Sequence, residues 1–223
     1  SGYAEQLYAS CASLGRGSWW RQLIYGTPHL VFEIASALHE DEIGFYVALP
    51  KNWENHFAKV VQGVYPDAHL EKVPGDYSFF HTGYEVAGSY LTLAHHSALP
   101  IATYQDLSAD PLGQVTNVLS KLHVDEGAAV QFVVEPEKPA WSRKGAEILK
   151  YVRSGSDFEE ALKRTGMIGS MLHAQKQEKK KKELTAHQEQ PEPVDQQLLE
   201  SLERKQRKVG LRLRNRIITS APE

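Results

Sequence analysis

The chain has 223 residues, of which 41% are hydrophobic and 24% charged, and a formal net charge of −3. That balance allows one or two compact domains and excludes a fibrous, disordered or membrane-embedded chain. A uniformly basic nucleic-acid coat is excluded as well, although charge can still be concentrated locally. The single cysteine, Cys11, has no internal partner, so no disulfide framework is expected. No apolar run approaches the ~18–20 residues of a membrane span, and no basic-then-apolar leader is read. A cytoplasmic location follows as the expectation, with Ser1-Gly2 read as the start of a fragment of a longer protein.

Tyr3, Leu7, Cys11 and Leu14 recur at helical spacing and predict an amphipathic first helix, which Gly15 and Gly17 end. From Leu30 the period becomes two. Leu30, Phe32 and Ile34, then Ile43, Phe45, Val47 and Leu49, predict two antiparallel strands joined through the acidic turn Glu40-Asp41-Glu42. Beyond Pro50, Asn52 is the expected N-cap of a helix carrying Trp53, Phe57, Val60, Val61 and Val64, stopped by Tyr65-Pro66-Asp67. Residues 68–73 read as a third strand.

Tyr84 to Leu93 and Ile101 to Tyr104 read as extended. Asp110 as cap and Pro111 at the first helical position predict the next helix, because the cap oxygen accepts an orphan amide while proline has none to satisfy. Its expected buried side is Leu112, Val115, Leu119 and Leu122. Val130, Phe132 and Val134 predict a strand, and Trp141 to Val152 a helix. Residues 154–193 then shift to Lys, Glu, Gln, Ser and Gly, with the run Lys179 to Lys182 and the prolines Pro191 and Pro193. So little apolar surface reads as a charged linker. A helix through Val194, Leu198 and Leu202 and a strand through Leu211, Leu213 and Ile217 follow.

The expected fold class is therefore α+β: ferredoxin-like split α/β sandwich units, with antiparallel sheets carrying helices on one face. One unit is expected at 1–75, a second at 76–153, the linker at 154–193, and the start of a truncated repeat at 194–223. The repeat rests on the likeness of residues 30–37 to residues 213–221.

Particular words in this pattern resemble a known family. They are Ala4-Glu5-Gln6-Leu7, Phe32-Glu33-Ile34-Ala35, Phe45-Tyr46-Val47-Ala48-Leu49-Pro50, Tyr65-Pro66-Asp67-Ala68, Asp106 through Leu112, and Leu119-Ser120-Lys121-Leu122. The chain resembles, over most of 3–152 and more loosely 194–221, the type IV secretion proteins of candidate-phyla bacteria that carry a HerA/FtsK-type motor at their C-terminal end. What the resemblance implies is a non-catalytic accessory or scaffold module, in contact with itself or with other secretion-system subunits. It also implies a parent at the inner face of the cell membrane, reaching the membrane through segments outside this sequence. No Gly-x-x-x-x-Gly-Lys-[Ser/Thr] loop occurs, and Gly166-Met167-Ile168-Gly169-Ser170 lacks both the lysine and the spacing, so no ATPase chemistry and no cofactor are expected here.

Few residues invite a chemical role. Adjacent His95 and His96 would point to opposite faces of a strand, so no metal site is expected. Cys11 reads as a core thiol and the acidic cluster 40–42 as a solvated turn. Trp19 and Trp20, between glycine-rich turns, either pack beneath the sheet or dock a partner. The basic residues Arg204, Lys205, Arg207 and Lys208, followed by Arg212, Arg214 and Arg216 at period two, form a candidate phosphate-contacting surface, with DNA as the alternative partner. Against this stands the ordinary use of such residues at helix C-termini and on strand edges, or facing the acidic first half of the chain.

Overall fold

The computed structural model describes residues 2–12, 28–36, 43–73, 80–103, 106–108, 110–165 and 196–222. It is an α+β structure of two units, one from residues 1–94, 102–137 and 210–223 and the other from residues 95–101 and 138–209. The first contains strands β1 (Leu30–Ser36), β2 (Ile43–Ala48), β3 (Tyr84–Leu91), β4 (Gly127–Pro136) and β5 (Leu211–Pro222), with helices α1 (Gly2–Ala12), α2 (Glu54–Val64) and α3 (Pro111–Leu119). The strands form one antiparallel sheet in the order β2-β1-β4-β5-β3.

Alternation sorts the side chains onto two faces, and residues opposite each other in neighbouring strands share a face. Leu30, Phe32 and Ile34 lie on the face that the three described helices of this unit cover. Leu30 and Phe32 pack with Leu7 of α1 and with Phe57 and Val61 of α2. The Phe32 ring meets Tyr8 edge-on at 6.0 Å and Phe57 at 6.2 Å between centroids. Ile34 and Ala128 pack against Val115 and Leu119 of α3. On the opposite face Ala35 and Ala129 are fully buried beside Tyr46 and Ile218.

Local chemistry places most ends. Asp110 caps α3 by accepting the Leu112 N–H at 3.0 Å, with Pro111 at the first turn. Asn52 does not cap α2. Pro50 starts a 3-10 turn over Lys51–Trp53 and the helix begins at Glu54 with no side-chain cap. Residues 68–73 form no strand and residues 101–103 join no ladder, neither having a partner strand among the described residues. Leu112, expected inside, is 51% exposed, so the buried side of α3 is narrower than its apolar composition.

The second unit holds α4 (Pro139–Arg153), α5 (Phe158–Arg164), α6 (Gln196–Gln206) and the segment 95–101. Ile148, Val152, Phe158, Ala161, Leu162, Leu202 and Ala98 form its core. Helix α4 ends where Gly155 takes φ 89°, with the Ser156 N–H donating to Tyr151 O and the Gly155 N–H to Val152 O. That is a Schellman cap, which a residue with a Cβ would enter only under strain. Asp157 immediately caps α5 through the Glu159 N–H at 3.1 Å. Residues 154–165, read as linker, are thus a capped turn and a helix that buries Phe158, Ala161 and Leu162. The rest of that linker, residues 166–193, lies outside the described residues.

The domain boundaries change accordingly. Strands from both expected units join one sheet, and β5, expected to open a truncated repeat, is an interior strand. The likeness of residues 30–37 to 213–221 coincides with a shared position in the sheet. β1 and β5 flank β4 in the same register, since Leu30 and Leu213 both oppose Val134, and Ile34 and Ile217 both oppose Val130. Two strands meeting one neighbour at the same level select similar side chains.

Phe57 is 8% exposed while Val118 on α3 is 64% exposed. Phe57→Ala should lower the unfolding free energy by about 3–5 kcal/mol, and Val118→Ala should change it by less than about 0.5 kcal/mol. Urea unfolding of both variants checks the contrast; a Phe57→Ala loss below about 1 kcal/mol would place α2 off the core.

Candidate interaction surface

β3 is the last strand of the sheet. It is entered through a tight turn in which the Tyr84 N–H donates to His81 O at 3.2 Å and Gly83 takes φ 89°, a conformation that favours glycine. The strand then pairs with β5 along its whole length, from Tyr84 opposite Pro222 to Leu91 opposite Asn215. Its other edge has no strand partner among the described residues.

Seven of its eight residues are exposed, Tyr84 alone being partly covered. Tyr90 is 69% exposed and Val86 and Leu91 are each 55% exposed, on alternate faces of the strand. The packing described above lies over β2, β1 and β4, so the sheet continues past its helical cover. Natural edges are usually protected by lysine, proline, a bulge or shortness. β3 carries none of these residue types and one charge, Glu85. The opposite edge, β2, is six residues long and is followed by Pro50.

The seven basic residues divide between the units. Arg212, Arg214 and Arg216 do project to one side of β5, the side of Glu33 and Gln131, whose side chains bond at 2.9 Å. Arg212 grips Glu137 with two bonds at 3.1 and 3.2 Å, and Arg214 pairs with Glu135. Since Glu135 stands opposite Arg212 in the ladder, both pairs run diagonally, offset by two residues. The acidic partners come from β4 and its end rather than from the first part of the chain. Among the described residues Arg216 has no ion pair; it sits between Gln131 and Tyr90 in one cross-strand row.

Arg204 and Lys205 belong to α6, and Arg207 and Lys208 to the turn after it. The Lys205 ammonium donates to Ser97 O and Leu99 O, both at 2.6 Å, tying the segment 95–101 to α6. Burial of the amine pushes its pKa below the ordinary lysine value. Lys205 is therefore a structural clasp. Arg207 lies 3.9 Å from Glu203, which also bonds Arg153 at 2.6 Å.

His96 accepts the Ala98 N–H through Nδ1 at 3.0 Å, a local turn contact. Among the described residues no group of three or more His, Cys, Asp or Glu side chains is placed to hold a metal. Trp19, Trp20, the acidic turn 40–42, Gly166 to Ser170 and the lysines 179–182 lie outside the described residues, as does the side chain of Cys11. The β3 edge was readable only as an extended segment. Its signal was an eight-residue stretch without lysine or proline, with Val86 and Tyr90 on one side.

Two measurements follow. In Lys205→Met the lost bonds to Ser97 and Leu99 should lower stability by about 1–2 kcal/mol. Because the folded pKa of Lys205 is depressed, the unfolded chain binds the extra proton between the folded and ordinary values, so stability rises with pH across that window. The rise should vanish in the variant; a pH series of urea melts reads both. For the arginines, ion pairing to Glu135 and Glu137 leaves little net positive field. Low-salt titration of the chain with DNA should show no saturable binding, and replacing Arg212, Arg214 and Arg216 with Gln should lower stability by at most about 1 kcal/mol per exposed pair. Saturable binding whose salt slope falls in the triple variant would restore the phosphate-contacting reading.

No curated protein and no solved structure matches the chain. The model of one family, described as a domain of unknown function, matches residues 4–223 and so runs through both units. The chain belongs to the DUF8128 family.

Proposed function

We propose that the chain is a non-catalytic scaffold module of a type IV secretion or conjugative DNA-transfer ATPase, docking subunits through the outer edge of its sheet. The motor connection rests on the sequence resemblance. The docking role is supported by one observation above others, the eight-residue strand β3 open along one edge and exposed on both faces. An added strand would satisfy the free N–H and C=O groups of that edge, while alternate side chains such as Val86 and Tyr90 would set its register. Such a contact orders subunits without reactive groups. The module would act in the cytoplasm beside the membrane, membrane contact being made by other parts of its parent. Among the described residues no helix is long and apolar enough to cross a bilayer.

A photo-reactive residue at Tyr90, compared with one at exposed Val118 on α3, tests the reading in cells expressing the parent gene. The expected products at Tyr90 are a second copy of the chain or subunits of a secretion motor. Products confined to Val118, or Tyr90 products that are all unrelated metabolic enzymes, would overturn it. Calorimetry with ATP and Mg²⁺ should show no saturable binding, because the sequence offers no phosphate loop; saturable binding would require a nucleotide site and remove the non-catalytic assignment.

A further inference from the structure

The residues of β3 carry more than a generic open edge, because they are complementary to themselves. A strand that joins a copy of itself antiparallel within one continuous sheet does so about a two-fold axis normal to the sheet. The two copies then keep the same face, and the axis passes through a residue rather than between two. Only a few centres keep most of Tyr84–Leu91 paired. Centring on Glu85 opposes two carboxylates, and centring on Val86 leaves them within diagonal reach; like charges so placed destabilise a ladder.

Centring on Ala87 opposes Tyr84 to Tyr90, yet the Tyr84 ring is already engaged with His81 at 5.4 Å. Centring on Gly88 is free of these conflicts. Val86 then opposes Tyr90 of the copy, twice, joining the exposed apolar residues on that face in β-branched–aromatic pairs. Ala87 opposes Ser89 on the other face, where small side chains allow close approach. The two Glu85 carboxylates fall at opposite ends of the ladder.

We infer that the partner of this edge is a second copy of the chain, bound β3 to β3 about a two-fold axis at Gly88, giving a ten-stranded antiparallel sheet across the pair. The inference rests on the docking reading and names its partner. β2 is the weaker candidate edge, being shorter and followed by Pro50.

Gly88 provides the test. A side chain built there would meet within its own protomer only Ile217 O at 3.8 Å, ordinary contact distance, so the position accepts a larger residue without strain. At the axis, however, it would face its own copy. Sedimentation equilibrium of the full chain should show a dimer, and Gly88→Lys should sediment as a monomer whose urea midpoint equals that of the wild type at concentrations where the wild type is dissociated. Under mild oxidation Gly88→Cys should form a covalent dimer with a peptide-mapped 88–88 linkage. Directly opposed Cα atoms in an antiparallel pair stand about 4.5–5.5 Å apart, within the range a disulfide spans. Phe45→Cys on β2 should not cross-link. A monomeric wild-type chain, a dimer that survives Gly88→Lys, or cross-linking at 45 in place of 88 would each overturn the self-pairing. In the monomeric case, cross-linking from Tyr90 to another secretion subunit would leave the docking reading standing, and its absence would remove both.

Discussion

The ladder between β4 and β5 is the contact on which the first unit depends. It runs from Gly127 opposite Ser220 to Pro136 opposite Leu211 and joins segments far apart in sequence. On one side β4 carries β1 and through it β2; on the other, β5 is the strand that holds β3. Losing this pairing would leave a three-stranded sheet under its helices and a detached two-stranded ribbon, which is marginal in water. It also sets the insertion of the helical unit. The Glu137 N–H donates to Gly210 O at 3.0 Å, so the chain leaves β4 and returns to β5 at neighbouring points. An insertion with adjacent ends costs the host little, because loop-closure entropy grows only slowly with length.

Local elements were legible where a single nearby interaction decides them. The period of Phe57, Val61 and Val64 marks α2 because one helical stripe meets the core. Asp110-Pro111 marks the start of α3 because capping is settled within a few residues. Strand identity proved harder, since a strand exists only by pairing. Residues 68–73 have the composition of a strand and no strand partner among the described residues, whereas 211–222 have two and become the longest described strand. The apparent repeat shows the same limit. The similar residues also share a neighbour, β4, which selects like side chains, and one sequence alone does not distinguish that from duplication.

The basic residues were legible as a stripe and illegible as a charge distribution. Period two correctly put Arg212, Arg214 and Arg216 on one side of β5. Their neutralisation depends on which residues of β4 lie diagonally across, a matter of register fixed by burial on the other face. Lys205 is a similar case. Nothing in Arg204-Lys205-Gln206 separates a solvated lysine from one that donates to two carbonyls more than a hundred residues earlier in the chain.

β3 satisfies its inner backbone groups through β5, while its outer groups and most of its side chains remain accessible. A long strand of this kind, without lysine or proline, would be an aggregation hazard unless something selects what binds it. In the proposed self-pairing, register supplies that selection. Glycine at the centre and a β-branched and an aromatic residue placed two positions to either side disfavour slipped pairings, because moving the centre by one residue shifts the register by two, which keeps the face but parts Val86 from Tyr90. Pairing at the outer edge also protects the inner one, since a bound strand stabilises only the state in which β3 is held by β5. Assembly and sheet integrity are therefore coupled through the same ladder, and the stability of this edge should depend on chain concentration where that of the α2 core does not.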